Sequence, residues 1–211
     1  LRIESTQDRN SADKTKVWPP PSGDFNLLCD NPININPGAG PQECAGMEIN
    51  DLDRAGGGDV YMQCGHLGEN SIQANDVSQS CSGLKYFASP TSALWPQGGK
   101  WTINCAGLIS CWQALLQCFF EWCEVILTGP ASGKYMMLDA TNSGMLTVTL
   151  EGDKALHGIP YTIPDPIDFE ALWMAQIRCP LNSTFSQPCS ILICSPYQVL
   201  DTNPWIWYAE E

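Results

Sequence analysis

The chain has 211 residues, 44% of them hydrophobic and 16% charged, and carries a net charge of −13. A chain of this length and composition buries a sizeable core, which excludes an intrinsically disordered protein. Because an acidic surface repels phosphates and anionic lipid headgroups, we expect no nucleic-acid partner and no binding to a membrane surface.

Composition divides the chain into three regions. Residues 1–16 are polar, contain four of the ten basic residues and predict a flexible N-terminal arm. Residues 17–98 predict a region of loops and short strands tied by disulfides, and residues 99–211 predict an α+β region. We expect one compact unit, and a division into two subdomains stays open.

Short β-prone runs predict most of the regular structure. The run 134–152 predicts a hairpin, because an Asn-Ser-Gly turn at 142–144 separates two extended segments. Asp165 and Pro166 predict the start of a short helix over 167–176. No internal repeat is apparent. The other predicted strands are 59–64, 84–89, 100–105, 189–194 and 204–209.

The segment from about 108 to 127 predicts an amphipathic helix. Its polar residues are three or four positions apart and fall on one narrow stripe, and the acidic ones disfavour a membrane span. The expected fold is therefore α+β, with a disulfide-stapled antiparallel sheet packed on this central helix. The polar residues of the stripe are Ser110, Gln113, Gln117, Glu121 and Glu124.

Eleven cysteines without any C-x-x-C spacing predict structural disulfides rather than a zinc or redox site. Cys111, Cys118 and Cys123 are too far apart along a helix to pair with one another, so each is expected to bond a different element. The odd number leaves one cysteine unpaired within the chain. The cysteines are Cys29, Cys44, Cys64, Cys81, Cys105, Cys111, Cys118, Cys123, Cys179, Cys189 and Cys194.

The cysteines and a glycosylation sequon at Asn182 predict a secreted, extracellular glycoprotein. Exposed tryptophans stack on sugar rings or anchor protein partners, which makes four of the eight tryptophans candidate binding residues. These are Trp18, Trp95, Trp205 and Trp207.

A metal or catalytic site is not favoured. Asp51, Asp53 and Asp59 match ligand positions of a calcium loop, but Met62 replaces its final bidentate acid, so an acidic turn is the preferred interpretation. The carboxylate pairs are local in sequence, and His66 and His157 lack a nucleophile motif. We therefore assign no catalytic residue and no cofactor.

The order of a cysteine-rich helix bracketed by Cys111 and Cys123, a turn, and the strand "NSGMLTVTL" resembles the killer toxins of smut fungi and small secreted fungal effectors. The resemblance covers roughly 40 of the 211 residues. It implies a toxin-like virulence or competition factor that recognises a host extracellular protein or a cell-wall glycan. A carbohydrate-binding module and a secreted hydrolase are the alternatives.

Overall fold

Strands make up all the regular secondary structure that the structure, a computed structural model, describes. It describes residues 16–29, 44–51, 57–65, 80–88, 97–106, 110–128, 132–151, 175–181, 184–194 and 207–208. Within them lie thirteen strands and no helix. The strands are Lys16–Val17 (β1), Phe25–Cys29 (β2), Glu48–Asp51 (β3), Val60–Cys64 (β4), Lys85–Ala88 (β5), Gln97–Cys105 (β6), Leu115–Gln117 (β7), Phe120–Leu127 (β8), Met137–Asp139 (β9), Met145–Glu151 (β10), Gln176–Arg178 (β11), Cys189–Cys194 (β12) and Trp207–Tyr208 (β13).

Consecutive strands lie in different sheets. The odd-numbered strands form a seven-stranded sheet and the even-numbered strands a six-stranded sheet, each in chain order. Every neighbouring pair in both sheets is parallel. The chain therefore winds as a β-solenoid in which each coil adds one strand to the odd sheet and one to the even sheet.

The core lies between the two sheets and is built from alternate residues of each strand. In β10, for example, Leu146, Val148 and Leu150 are buried, and the parallel register places Leu146 beside Cys123 of the previous coil. Because side chains alternate between the two faces of a strand, each coil contributes a short apolar row to one continuous core.

Five disulfides use ten of the eleven cysteines, so Cys194 is the remaining one. This confirms the prediction of a cysteine-rich, disulfide-bonded protein. Three of the disulfides close the same corner, the one that leads from an even strand to the next odd strand, in successive coils. The five are Cys29–Cys44, Cys64–Cys81, Cys105–Cys111, Cys118–Cys123 and Cys179–Cys189.

The predicted α+β fold is wrong. Residues 115–127 form β7 and β8 in different sheets instead of a central helix, and the sheets are parallel instead of antiparallel. The corner between these strands brings the Cα atoms of Cys118 and Cys123 to 6.2 Å, so the two cysteines form a disulfide with each other. Five residues of helix would separate them by about 7.5 Å along the axis.

Most of the strand predictions are confirmed, namely those that match β4, β5, β6 and β12. The predicted hairpin is wrong, because β9 and β10 are both strands but belong to different sheets. Strands from both predicted regions, 17–98 and 99–211, stack in the same two sheets. The helix predicted over 167–176 and the predicted arm fall almost entirely outside the described residues.

Candidate functional site

The outer surface of the even sheet carries a face of stacked side chains, which we call the even face. Parallel pairing places equivalent positions of neighbouring strands about 4.8 Å apart, so each outward position forms a ladder across the sheet. The first ladder contains Lys100, Trp122 and Met145, the second Tyr61, Thr102, Glu124 and Thr147, and the third Gln63, Asn104, Ile126 and Thr149.

Four residues of the even face contact one another, and we call them the Trp122 cluster: Lys100, Thr102, Trp122 and Glu124. The Lys100 ammonium lies 4.3 Å from the centroid of the Trp122 ring and 2.7 Å from Glu124 Oε2. Thr102 Oγ1 donates a hydrogen bond of 3.3 Å to the same Glu124 oxygen. The Trp122 side chain is 40% exposed, so an aromatic surface stands at the edge of a charge-balanced group.

Beside this cluster lies a set of outward-facing polar side chains that are less than a tenth exposed, which we call the polar floor. Tyr61 Oη donates to Gln63 Oε1 at 2.7 Å, and Gln63 Nε2 donates to the Gly65 carbonyl at 2.9 Å. Asn104 Oδ1 is different, because among the described residues no donor reaches this buried acceptor. The polar floor consists of Gln63, Thr102, Asn104, Thr147 and Thr149.

The outer surface of the odd sheet has a different character. Its charged side chains pair locally, Lys16 with Glu48 at 3.0 Å and Arg178 with Asp139 at 3.5 Å. Hydrogen bonds from Asn50 and, to a smaller extent, from Lys16 lower the pKa of the Glu48 carboxyl below its ordinary value. These pairs lie at solvent-exposed positions, where ion pairs contribute little stability.

Of the four candidate tryptophans, the structure describes Trp18 and Trp207, which lie at opposite edges of the odd sheet. Trp18, directly after β1, is 60% exposed, and Trp207 lies in β13. Trp95 and Trp205 lie outside the described residues. Trp122 was missed because its segment was assigned to a buried helix. A strand signal was nonetheless present, since the buried residues Cys123, Val125 and Leu127 alternate with the less buried Trp122, Glu124 and Ile126.

The acidic turn is partly described. Asp51 points into the core and accepts a hydrogen bond from Tyr86 Oη, whereas Asp59 Oδ1 accepts one from the backbone N–H of Lys100. Among the described residues, no group of three or more His, Cys, Asp or Glu is arranged to hold a metal ion. The preference for an acidic turn over a calcium site stays a prediction. Asp53, His66, His157 and the sequon at Asn182 lie outside the described residues.

Within the described part of the chain, no helix is long and apolar enough to cross a membrane. Multiple disulfides are compatible with an extracellular protein. Comparison with known protein families, with curated proteins and with solved structures finds no match to this chain.

Proposed function

We propose that the protein is secreted and binds a glycan chain on the even face. The observation that carries the proposal is the half-exposed Trp122 beside a floor of polar side chains. A pyranose ring has an apolar face of C–H groups and a rim of hydroxyls. An indole ring packs against the apolar face of the sugar, and hydroxyl, amide and carboxylate groups form hydrogen bonds with its hydroxyls.

The contacts within the Trp122 cluster hold this surface in place. The Lys100 ammonium lies over the indole and is itself fixed by Glu124. A ring held in this way loses little conformational entropy when a ligand stacks on it, which favours binding. Glycoside hydrolysis uses two carboxyl groups about 5–9.5 Å apart. The Glu124 carboxylate binds Lys100 and Thr102, and the other described members of its ladder carry no carboxylate, which favours binding over hydrolysis.

A cell-wall glycan is the proposed partner in preference to a host protein, because the aromatic and polar composition of the even face matches a sugar. The resemblance to killer toxins and fungal effectors included a helix between Cys111 and Cys123, where the structure has strands. The proposal therefore does not depend on that resemblance. A role as a virulence or competition factor, and a fungal origin, stay predictions.

The test is co-sedimentation of the purified protein with insoluble polysaccharides, followed by affinity electrophoresis in soluble ones. We expect Trp122→Ala to weaken binding by at least about tenfold, since a well-packed aromatic contact contributes more than about 1.4 kcal/mol. Trp18→Ala is the matched control, because Trp18 is more exposed but lies outside the even face. Circular dichroism checks that both variants are folded.

Two results would contradict the proposal. One is the failure of the wild-type protein to bind any polysaccharide. The other is an equal loss of binding in the Trp122→Ala and Trp18→Ala variants, because a site on the even face requires that only the first be affected.

A further inference from the structure

We infer that the even face selects a neutral glycan longer than a single sugar, with one ligand hydroxyl or N–H group donating a hydrogen bond to Asn104 Oδ1. This inference rests on the proposed glycan binding and names the class of ligand. It depends on two observations, the charge balance of the Trp122 cluster and the unpaired acceptor of the polar floor.

The charge balance argues against a charged ligand. The Lys100 ammonium is 2.7 Å from Glu124 Oε2, so its charge is already compensated, and a uronate carboxylate beside it would be repelled by Glu124. The net charge of −13 adds long-range repulsion of any polyanion. A cationic glycan such as chitosan would be attracted by the acidic surface as a whole, and that attraction would fall as salt screens it.

The unpaired acceptor argues for a ligand rich in donors. Asn104 is only 7% exposed, and a buried carbonyl oxygen without a hydrogen bond destabilises the free protein. Thr102 and Asn104 both face outward on β6, two residues apart, so their side chains are about 7 Å from each other. Because this oxygen is buried in the free protein, a ligand hydroxyl or acetamido N–H supplies the missing donor when the surrounding side chains of the polar floor move aside.

The positions of Trp122 and Asn104 set the length of the ligand. Trp122 pairs with Lys100, and Asn104 lies four residues beyond Lys100 along β6. The two side chains are therefore about 13 Å apart along the strand direction, and they stand on neighbouring strands. A monosaccharide stacked on the indole does not extend this far, whereas a short oligosaccharide does.

The first experiment compares three soluble polymers in affinity electrophoresis: a neutral β-glucan or xylan, polygalacturonate and chitosan. We expect retardation by a neutral polymer that is unchanged at about 0.5 M salt, where charges are screened within a few ångströms. Preference for a charged polymer, with dependence on Trp122, would overturn the inference and leave the proposed function standing. Retardation by none of a broad set of polymers would overturn the proposed function itself.

The second experiment tests Asn104 with the variant Asn104→Leu, which removes the acceptor and keeps the branching of the side chain. We expect affinity for the neutral oligosaccharide to fall about tenfold while thermal stability stays equal or rises, since no polar group is left unpaired. A purely structural Asn104 would give the opposite pattern, with lower stability and unchanged affinity, and that result would overturn the assignment. Asn50→Leu, on β3 of the odd sheet, is the matched control, because it makes the same substitution outside the even face.

Discussion

The two corners of each coil are built in different ways. Where the chain passes from an even strand to an odd strand, it forms a four-residue turn whose first residue has a left-handed conformation, such as Cys44, Cys81 or Cys111. Where it passes back from an odd strand to an even strand, the early coils have a glycine near the start of the even strand. These glycines are Gly58 and Gly99, with φ of 109° and 105°.

The even-to-odd corner accepts ordinary side chains at positive φ because backbone hydrogen bonds define it. The N–H of Met47 bonds to the carbonyl of Cys44, and the N–H of Ala114 bonds to that of Cys111. The same bond joins Met136 to Gly133, in a corner without a disulfide. The turn therefore forms with or without the covalent link, and the disulfides reinforce a geometry that the backbone already adopts.

The odd-to-even corner excludes side chains because successive coils touch there through their backbones. A Cβ atom at Gly58 would lie 2.4 Å from the carbonyl oxygen of Gly23, and one at Gly99 would lie 2.7 Å from that of Gly58. Similarly, a Cβ at Gly144 would lie 2.5 Å from the Glu121 oxygen. At the even-to-odd corner, the backbone conformation alone limits which residues fit. At the odd-to-even corner, contact between neighbouring coils limits them as well. The two corners should therefore differ in their sensitivity to mutation.

The largest effect is expected at the odd-to-even corner. Gly99→Ala places a Cβ against the Gly58 backbone at a φ that L-residues rarely adopt, and we expect it to lower the free energy of unfolding by about 3 kcal/mol or more. Chemical denaturation followed by fluorescence measures this loss. Gly98→Ala is the matched control, since nothing lies within 4 Å of a Cβ at Gly98.

Gly98 and Gly99 are adjacent in β6, so the two variants place the same methyl group on neighbouring residues. We expect Gly98→Ala to change the free energy of unfolding by no more than about 0.5 kcal/mol. Equal losses in the two variants would show that the contact between coils does not govern this corner.

A smaller loss is expected when a disulfide of the even-to-odd corner is removed. Loop closure predicts a cost of about 3 kcal/mol for Cys64–Cys81, which spans 17 residues, and about 2 kcal/mol for Cys105–Cys111, which spans 6. All four cysteines are fully buried, so paired Cys→Ala variants create comparable cavities. Denaturation midpoints rank the two variants, and the reverse order would contradict the loop-closure explanation.

These corners were difficult to recognise in the sequence because the coils differ in length. The unit Gly, Asp or Lys, apolar, any, apolar, any, Cys occurs at 23–29, 58–64 and 99–105. Its copies are 35 and 41 residues apart, so no fixed period reveals them, and the conclusion that no repeat exists was wrong. The strands themselves were predictable, because their apolar alternation is local.

The error over the central helix has a related cause. Leu116 and Leu138 occupy equivalent positions in successive coils and are only 22 residues apart. Two short strands and two corners must fit into that length. Polar residues then fall at corners and on outward strand positions, as Gln113, Gln117 and Glu124 do. Their spacings of three and four match a helical stripe by coincidence. Because the segment was interpreted as a helix, Trp122 was not recognised as a surface residue.

A new disulfide at the one described even-to-odd corner that lacks it should stabilise the fold modestly. Leu127 pairs with Cys105 in register, and Gly133 occupies the same turn position as Cys111, with φ of 68° against 55°. The double variant Leu127→Cys/Gly133→Cys therefore closes a six-residue loop like that of Cys105–Cys111. Closure favours folding by about 2 kcal/mol, and loss of the buried leucine offsets about half of it.

Peptide mapping detects the new bond, and thermal denaturation measures the gain relative to Leu127→Cys alone. If the two thiols remained free after oxidative folding, the fourth corner would differ in geometry from the other three, and the equivalence of the corners would be wrong.

The smallest effect concerns the third residue of the even-to-odd turn. Gln113 has φ of 55°, where earlier coils have Gly46 and Gly83 at 66° and 64°. We expect Gln113→Gly to raise stability by no more than about 1 kcal/mol, since relief of the left-handed strain is partly offset by the greater flexibility of glycine in the unfolded chain.

The reverse change separates conformation from contact. A Cβ at Gly83 would lie 3.9 Å from Gly46, an ordinary van der Waals distance, so Gly83→Gln should cost only about 1 kcal/mol in denaturation experiments. The φ of Gly83 is positive, as is that of Gly99, but only Gly99 is in close contact with the neighbouring coil. A loss at Gly83 as large as that of Gly99→Ala would mean that positive φ alone sets the cost at both corners. A small loss would assign the difference to the two features that only Gly99 has, the backbone contact between coils and a φ of 105° that lies outside the left-handed helical region.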